Sequence, residues 1–241
     1  MKQQKAEIIL RDPRRYAHHD RIFLNNPVIM QGMGLAPLVV LATSGRNALM
    51  LAVAVALLLT PSRVIGYFLS KLVPLEENAS EEELRAKLLP RGLIYCGTAA
   101  VVYMGIYPIL DHLFGVELLT LGIYLPMLVV EPLLTYRYGR VQETLRKAVS
   151  KGLRVTVGYA VVLLLVGCIR EWLASGAVFG VALTSNTILM PLAAMPAGGF
   201  ILLGVISAVW RALAARYRTF LTNEAQSQII VNQQKEARGK P

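Results

Sequence analysis

The sequence predicts an all-α integral membrane protein with six transmembrane helices, arranged as a 3+3 inverted repeat that contains two short half-helices. Three observations support this fold class. The 241-residue chain is 55% hydrophobic and only 17% charged, with a mean hydropathy of +0.50, which leaves too little charge to cover a soluble domain. Long uncharged runs approach the ~20 residues that cross a bilayer. Two further apolar segments are short and contain a proline.

The chain divides into three parts: residues 1–26 as a polar, basic N-terminal arm, residues 27–210 as a membrane domain, and residues 211–241 as a polar C-terminal tail. The arm lacks the apolar core and small-residue cleavage site of a signal peptide, so we expect it to be retained. After Arg218 the tail is weakly patterned, and we expect this part to be loosely ordered. Between the second and third apolar segments, Ser80 and Glu83 match a capping box and predict a short surface helix.

The membrane domain contains six apolar segments. Their connections alternate between long polar loops and short links near Gly45, Gly115 and Ser185. The first and fourth segments are shorter than the others. The six segments are residues 27–43, 47–70, 92–113, 118–136, 153–174 and 188–210.

The distribution of basic residues predicts the orientation of these segments. If the chain crosses the membrane at every segment, 22 of the 25 lysines and arginines lie on the side that holds both termini. The exceptions are Arg46, Arg63 and Arg170. Because cytoplasmic loops are enriched in basic residues, both termini are predicted to be cytoplasmic. The net charge of +10 therefore reflects topology, and we expect no nucleic-acid partner, since no basic segment is interleaved with aromatic residues.

The two short segments occupy matching places in the two halves of the chain. Pro37 opens "PLVV" in the first segment, and Pro126 opens "PMLVV" in the fourth. Each half has three spans, an odd number, so the second half is inverted relative to the first. Interrupted backbone at membrane depth is tolerated only inside the protein, so the two segments should face each other. The alternative is that both prolines simply kink ordinary helices.

Four motifs give the chain a family resemblance. These are "NPVIMQGMGLAPLVVLATSGRNALMLAVAVAL", "LGIYLPMLVV", "GCIREWLASGAVFG" and "MPLAAMPAGGFILLG". In order and spacing they resemble the small membrane subunits of the Rnf/Nqr family, over about residues 27–210. The late glycine-rich motif and the cytoplasmic N-terminus resemble the branch that contains the E-type Rnf and D-type Nqr proteins.

The resemblance implies a role in a larger assembly. Family members form a pseudo-symmetric pair of oppositely oriented sister subunits in a prokaryotic plasma-membrane complex, which couples electron transfer to Na⁺ or H⁺ translocation. Each member of the pair supplies two cysteines to a shared 2Fe–2S cluster between the half-helices. Here Ala36 and Pro132 occupy the two cysteine positions, and neither can replace a thiolate. We therefore expect no cofactor held by this chain's own residues.

The two cysteines of the chain do not restore the missing ligands. Cys96 lies near the cytoplasmic end of the third segment and Cys168 deep in the fifth, at depths of roughly 6 Å and 22 Å at 1.5 Å per residue. We expect them to be separate apolar core residues. Neither the histidines nor any other residues have metal-ligand spacing. No nucleotide-binding or nucleophile motif appears, so the sequence gives no support for catalysis by this chain alone.

Several polar and glycine residues of the membrane domain are candidate functional or structural positions. Glu131 is the candidate ion-pathway residue, because a carboxylate within a span is costly; alternatively it pairs with an arginine or reaches the headgroups. Arg170, Glu171 and the two prolines are candidate structural residues. Arg170 and Glu171, at the end of the fifth segment, are expected to anchor the chain at the membrane interface; the alternative is that they form a gate. Arg63 is expected to extend to the cytoplasmic surface. "MPAGGF" predicts close helix packing.

These observations predict a membrane subunit of an Rnf/Nqr-type complex that acts as a structural or ion-pathway partner, in contact with lipid and the sister subunit. Two alternatives stay open. In one, the chain keeps a role in electron transfer through a cluster that is held by a partner or by other ligands. In the other, it is a stand-alone membrane transporter or binding protein that reuses the fold.

Overall fold

A computed structural model describes residues 20, 22–73, 81–122, 124–130, 144–183 and 190–238 of the protein. Over these ranges the chain is almost entirely helical. The elements, in chain order, are α1 (Leu35–Leu41), α2 (Gly45–Ser70), α3 (Glu81–Phe114), a 3₁₀ helix (Gly115–Leu121), α4 (Tyr124–Val130), α5 (Leu145–Ser175), a hairpin of β1 (Ala177–Val178) and β2 (Val181–Ala182), a second 3₁₀ helix (Pro191–Ala194) and α6 (Pro196–Arg238).

Four of the helices, namely α2, α3, α5 and α6, are long and apolar enough to cross a membrane. This confirms the helical membrane class. Within the residues that the structure describes, the first predicted span contains one seven-residue α-helix, α1, and the fourth contains one, α4. At 1.5 Å per residue such a helix is about 10 Å long, a third of the ~30 Å hydrocarbon core.

Helices α2 and α5 form the centre of the structure. In their most apolar stretches 56% and 50% of residues are buried, against 28% in α3 and 22% in α6. The two central helices are antiparallel, since a Cβ at Gly167 would lie 2.6 Å from Ala48 while one at Gly152 would lie 3.2 Å from Arg63. The outer faces of α3 and α6 are consequently left for lipid or for other proteins.

The two short helices contact each other, as the sequence predicts. Both begin in the same way, because Pro37 and Pro126 are each the third residue of a seven-residue helix. A proline in the first turn removes no intrahelical hydrogen bond, so it starts a helix and does not kink one. The alternative that these prolines bend continuous helices does not hold for α1 or α4. Leu38 and Leu125 join the main hydrophobic core from the two helices.

Two local expectations were wrong. Residues 219–238, expected to be loosely ordered, are helical, because α6 continues without interruption to Arg238; this stretch contains several glutamine, glutamate and alanine residues, whose helix propensity is high. The short surface helix after Ser80 is not a separate element but the first part of α3, which runs from Glu81 to Phe114.

The residues before α1 form turns and not the start of a helix. Asn26, which is fully buried, donates to the Gly158 carbonyl of α5 at 2.8 Å and accepts from the Val28 backbone N–H at 2.9 Å. The indole N–H of Trp210 on α6 donates to the Phe23 carbonyl at 3.0 Å. These bonds fix the entry to α1 against two helices of the second half of the chain, α5 and α6.

Candidate functional site

The break between α1 and α2 exposes unpaired backbone groups on both sides. α1 ends at Leu41 and α2 begins at Gly45. The last carbonyls of a helix and the first N–H groups of the next have no partner within their own helix. Inside a membrane protein such groups need protein partners, because an unpaired buried group costs several kcal/mol. Two consecutive residues near the end of α5 supply them.

Arg170 satisfies the carbonyl side of the break. Its side chain is 0% exposed. Nη1 donates to the carbonyls of Val39 at 2.6 Å and Ala42 at 3.1 Å, both at the end of α1. Nε and Nη2 donate to three carbonyls of the second 3₁₀ helix and its cap: Ala193 at 2.8 Å, Ala194 at 3.2 Å and Met195 at 3.2 Å.

These bonds use the full donor capacity of the guanidinium, which has five N–H groups. A cation at a helix C-terminus is also favoured by the helix dipole. The guanidinium is enclosed by backbone carbonyls, and its anchoring at the membrane interface stays a prediction. The guanidinium joins α1 to the segment that leads into α6.

Glu171 satisfies the N–H side of the break. Its carboxylate accepts from the Gly45 N–H, the first residue of α2, at 2.8 Å. It also accepts from Phe179 at 3.0 Å and Gly180 at 2.7 Å, the two residues of the hairpin turn. An anion at a helix N-terminus is favoured by the dipole. Arg170 and Glu171 thus hold opposite ends of one helix break with opposite charges, and we call them the Arg–Glu junction.

The hairpin turn has an unusual conformation that the junction explains. Phe179 and Gly180 have φ of 53° and 77°, as a two-residue hairpin loop with right-handed twist requires. This region is uncommon for phenylalanine. The carboxylate of Glu171 binds both backbone N–H groups, and the ring packs against Gly45, where a Cβ would lie 3.2 Å away. The hairpin was not predicted, although "AVFGVA" carries a signal for it, a glycine-containing pair between apolar residues.

Two glycines make room for the junction. A Cβ at Gly199 would lie 3.0 Å from the Val39 carbonyl oxygen and 3.1 Å from Nη1 of Arg170, and a Cβ at Gly198 would overlap the Leu192 carbonyl oxygen. This confirms the prediction that "MPAGGF" permits close backbone approach. A second close contact lies before α1, where the hydroxyl of the buried Tyr159 donates to the Gly34 carbonyl at 3.1 Å.

Arg46 and Arg63, the other two basic residues that do not fit the predicted cytoplasmic distribution, also have defined surroundings. Arg46 pairs with Glu117 of the first 3₁₀ helix at 2.6 Å, on an exposed surface. This pair joins the short links near Gly45 and Gly115, so these lie at the same end of the molecule. Arg63 is 5% exposed and lies against Gly152 of α5, so the expectation that it extends to the surface is wrong.

The positions that the resemblance assigns to cluster ligands are only partly described. Ala36 is a half-buried residue in the first turn of α1, and its methyl group cannot bind iron. Pro132 and the candidate ion-pathway residue Glu131 lie outside the described residues. Cys96 and Cys168 are both free thiols. Over the described ranges, no group of three or more histidine, cysteine, aspartate or glutamate side chains is placed to hold a metal ion. Of the two ligand positions, the described one, Ala36, therefore offers no ligand atom to a cluster.

Comparison with known proteins gives a match over most of the chain. Residues 17–207 match the model of a family described as Rnf-Nqr subunit, membrane protein. Among curated proteins, the E-type component of the ion-translocating oxidoreductase complex of Aliivibrio fischeri (strain MJ11) is 29% identical over 160 residues, which are 64% of this chain and 63% of that protein, just under two thirds of its length. Proteins of the same name from Shewanella oneidensis and Pseudoalteromonas atlantica are 28% and 27% identical, over 82% and 87% of this chain and 86% and 91% of theirs.

Proposed function

The chain belongs to the Rnf-Nqr subunit family of membrane proteins, and from this premise we propose that it is a membrane subunit of an ion-translocating oxidoreductase complex of the Rnf type. The observation that carries the proposal is the family match over residues 17–207, which includes α1, α2, α5 and the start of α6 around the Arg–Glu junction. The names of the curated relatives support the same assignment.

The six helices are proposed to form a 3+3 inverted repeat. The order of elements supports this: in each half a seven-residue helix with proline at its third position is followed by a central helix and then by a peripheral one. The antiparallel packing of α2 against α5 is what an axis in the membrane plane requires. The contact between α1 and α4 brings the two broken segments together, as such an axis would.

Within the complex the chain is proposed to act as a structural or ion-pathway partner and not as an electron carrier. Ala36 and Pro132 stand where the resemblance requires thiolates, and alanine and proline side chains have no atom that binds iron. The carbonyls at the end of α1 are already bound to Arg170, so this half-helix is held by an arginine. Glu131 remains the candidate ion-pathway residue.

We propose that the partners are the other membrane subunits of the complex, in particular an oppositely oriented sister subunit. The outer faces of α3 and α6 are the surfaces available to them, because these helices bury the smallest share of their apolar stretches. The proposed location is the bacterial inner membrane with both termini in the cytoplasm, in agreement with the lysine and arginine distribution.

A pull-down tests this function. The chain, carrying an affinity tag, is expressed in its native host, extracted in mild detergent and captured, and the companions are identified by mass spectrometry. The proposal expects subunits of an ion-translocating oxidoreductase to be captured in fixed proportion. Capture of the chain alone, or as a homo-oligomer, would contradict it and favour the stand-alone transporter. Stoichiometric iron in the chain after separation from its companions would contradict the absence of cluster ligands.

A further inference from the structure

We infer that Arg91, at the start of the apolar part of α3, belongs to a binding site for the phosphate of an anionic phospholipid headgroup. The side chain is only 6% exposed. Neither Nε nor Nη1, both fully buried, has a hydrogen-bond partner within the part of the chain that the structure describes. A buried charge without a partner costs several kcal/mol, so these two atoms require an anion that the described residues do not supply.

The position of Arg91 along α3 places it at headgroup depth. The exposed Arg46–Glu117 pair marks one end of the membrane domain, next to Phe114 at the end of α3. At 1.5 Å per residue, Arg91 lies about 35 Å from Phe114. The hydrocarbon core is about 30 Å thick, so Arg91 lies just beyond its opposite face. Phosphate groups lie at that level, and in an anionic phospholipid no headgroup cation offsets the phosphate charge.

The side chain of Arg91 is directed into the helix assembly while its neighbours face outward. Leu89 and Leu93 are 73% and 66% exposed. The nearby contact between Gly66 of α2 and the ring of Tyr95 holds the two helices close together. Arg91 precedes Tyr95 by about one helical turn, which in this antiparallel pair places it level with the end of α2.

The end of α2 adds a second cation at the same level. The exposed Lys71 follows α2, and its Nζ lies 5.2 Å and 5.6 Å from the ring centroids of Tyr67 and Phe68. At 1.5 Å per residue, Lys71 is about 38 Å from Arg46, close to the depth found for Arg91. Lysine and aromatic residues at the interface are typical of headgroup contact, and basic pockets between helices bind anionic lipid heads. The inference depends on the membrane location alone and not on the proposed complex.

The test is a lipid titration of the purified, delipidated full chain in detergent, with bound lipid counted by native mass spectrometry. We expect phosphatidylglycerol to bind more tightly than phosphatidylcholine. Arg91→Gln should weaken phosphatidylglycerol binding at least about tenfold, since hydrogen bonds to charged groups contribute about 1.5–3 kcal/mol. Arg218→Gln makes the same chemical change at an exposed position of α6 and should leave the affinity unchanged.

Thermal unfolding without lipid provides a second readout that does not depend on binding. If Arg91 lacks a partner in the chain, Arg91→Gln removes an uncompensated buried charge, and the midpoint should stay equal or rise. A lower midpoint would show that Arg91 is paired within the protein and would overturn the inference. Equal affinity of the wild type and Arg91→Gln for phosphatidylglycerol would overturn it too. Stabilisation by inorganic phosphate alone would overturn the assignment to lipid.

Discussion

Replacement of Arg170 by methionine removes the group that joins α1 to the second 3₁₀ helix while keeping most of the side-chain volume. Five carbonyls lose their donor, at distances that now range from 2.6 to 3.2 Å. Each buried acceptor left unsatisfied costs about 1–3 kcal/mol. The sum overstates the effect, because the variant also avoids the cost of burying the guanidinium. Loss of one side of a buried charged network typically costs about 3–5 kcal/mol.

We therefore expect Arg170→Met to lower the thermal midpoint by about 6–20 °C, taking about 2–4 °C per kcal/mol for a chain of this size. Arg170→Lys keeps the charge. The lysine ammonium has three N–H donors on a single nitrogen, and this nitrogen cannot reach both the end of α1 and the second 3₁₀ helix as the guanidinium does. The loss of stability in this variant should be intermediate, about 1–3 kcal/mol.

Circular dichroism of the purified chain in detergent measures these midpoints. Arg218→Met, the same change at an exposed site on α6, is the matched control and should shift the midpoint by no more than about 2 °C, since surface substitutions stay within about 0.5 kcal/mol. If Arg170→Met behaves like this control, or if lysine and methionine are equivalent at position 170, then the bonds to the carbonyls do not hold the junction together.

Two further substitutions test the other parts of the junction. Glu171→Gln keeps the side-chain shape but loses the charge that faces three backbone N–H donors, including that of Gly45. It should lower the free energy of unfolding by about 1–3 kcal/mol, seen as a lower midpoint in the same thermal assay. An unchanged midpoint would show that the negative charge is not needed there. Gly198→Ala places a methyl group on the Leu192 carbonyl and should lower the free energy of unfolding by about 1–3 kcal/mol. Gly204→Ala is the control, since a Cβ there meets nothing within 4 Å, and it should be neutral or stabilising by up to about 1 kcal/mol. Equal effects of the two variants would contradict the close packing at Gly198.

Much of the architecture is predictable from the sequence because a backbone that crosses lipid must pair its own hydrogen-bonding groups, which favours helices. Four uncharged runs predict the four long helices. Proline near the start of a short apolar run predicts α1 and α4, because it fits a first turn and disrupts a helix interior. The glycine pair at Gly198 and Gly199 predicts close backbone approach, since no other residue leaves that space.

The role of Arg170 was not predictable from local sequence. Its acceptors on α1 are 131 and 128 residues away in the chain, and nothing in "GCIREW" distinguishes an arginine that meets carbonyls from one that meets headgroups. The helical tail was missed for a different reason. The polarity of residues 219–238 predicts loose order, whereas their helix propensity and their continuity with a preceding span favour a long helix.

The most direct test of the proposed architecture is whether α1 and α4 meet in the interior. In a background with Cys96 and Cys168 changed to alanine, paired cysteines are introduced, one at positions 35–38 of α1 and one at positions 124–127 of α4, and oxidised with copper phenanthroline in native membranes. We expect an intramolecular disulfide for at least one pair, because these helices contact each other. Failure of every pair to cross-link would contradict the architecture, provided that a control pair of cysteines across the α2–α5 contact does cross-link.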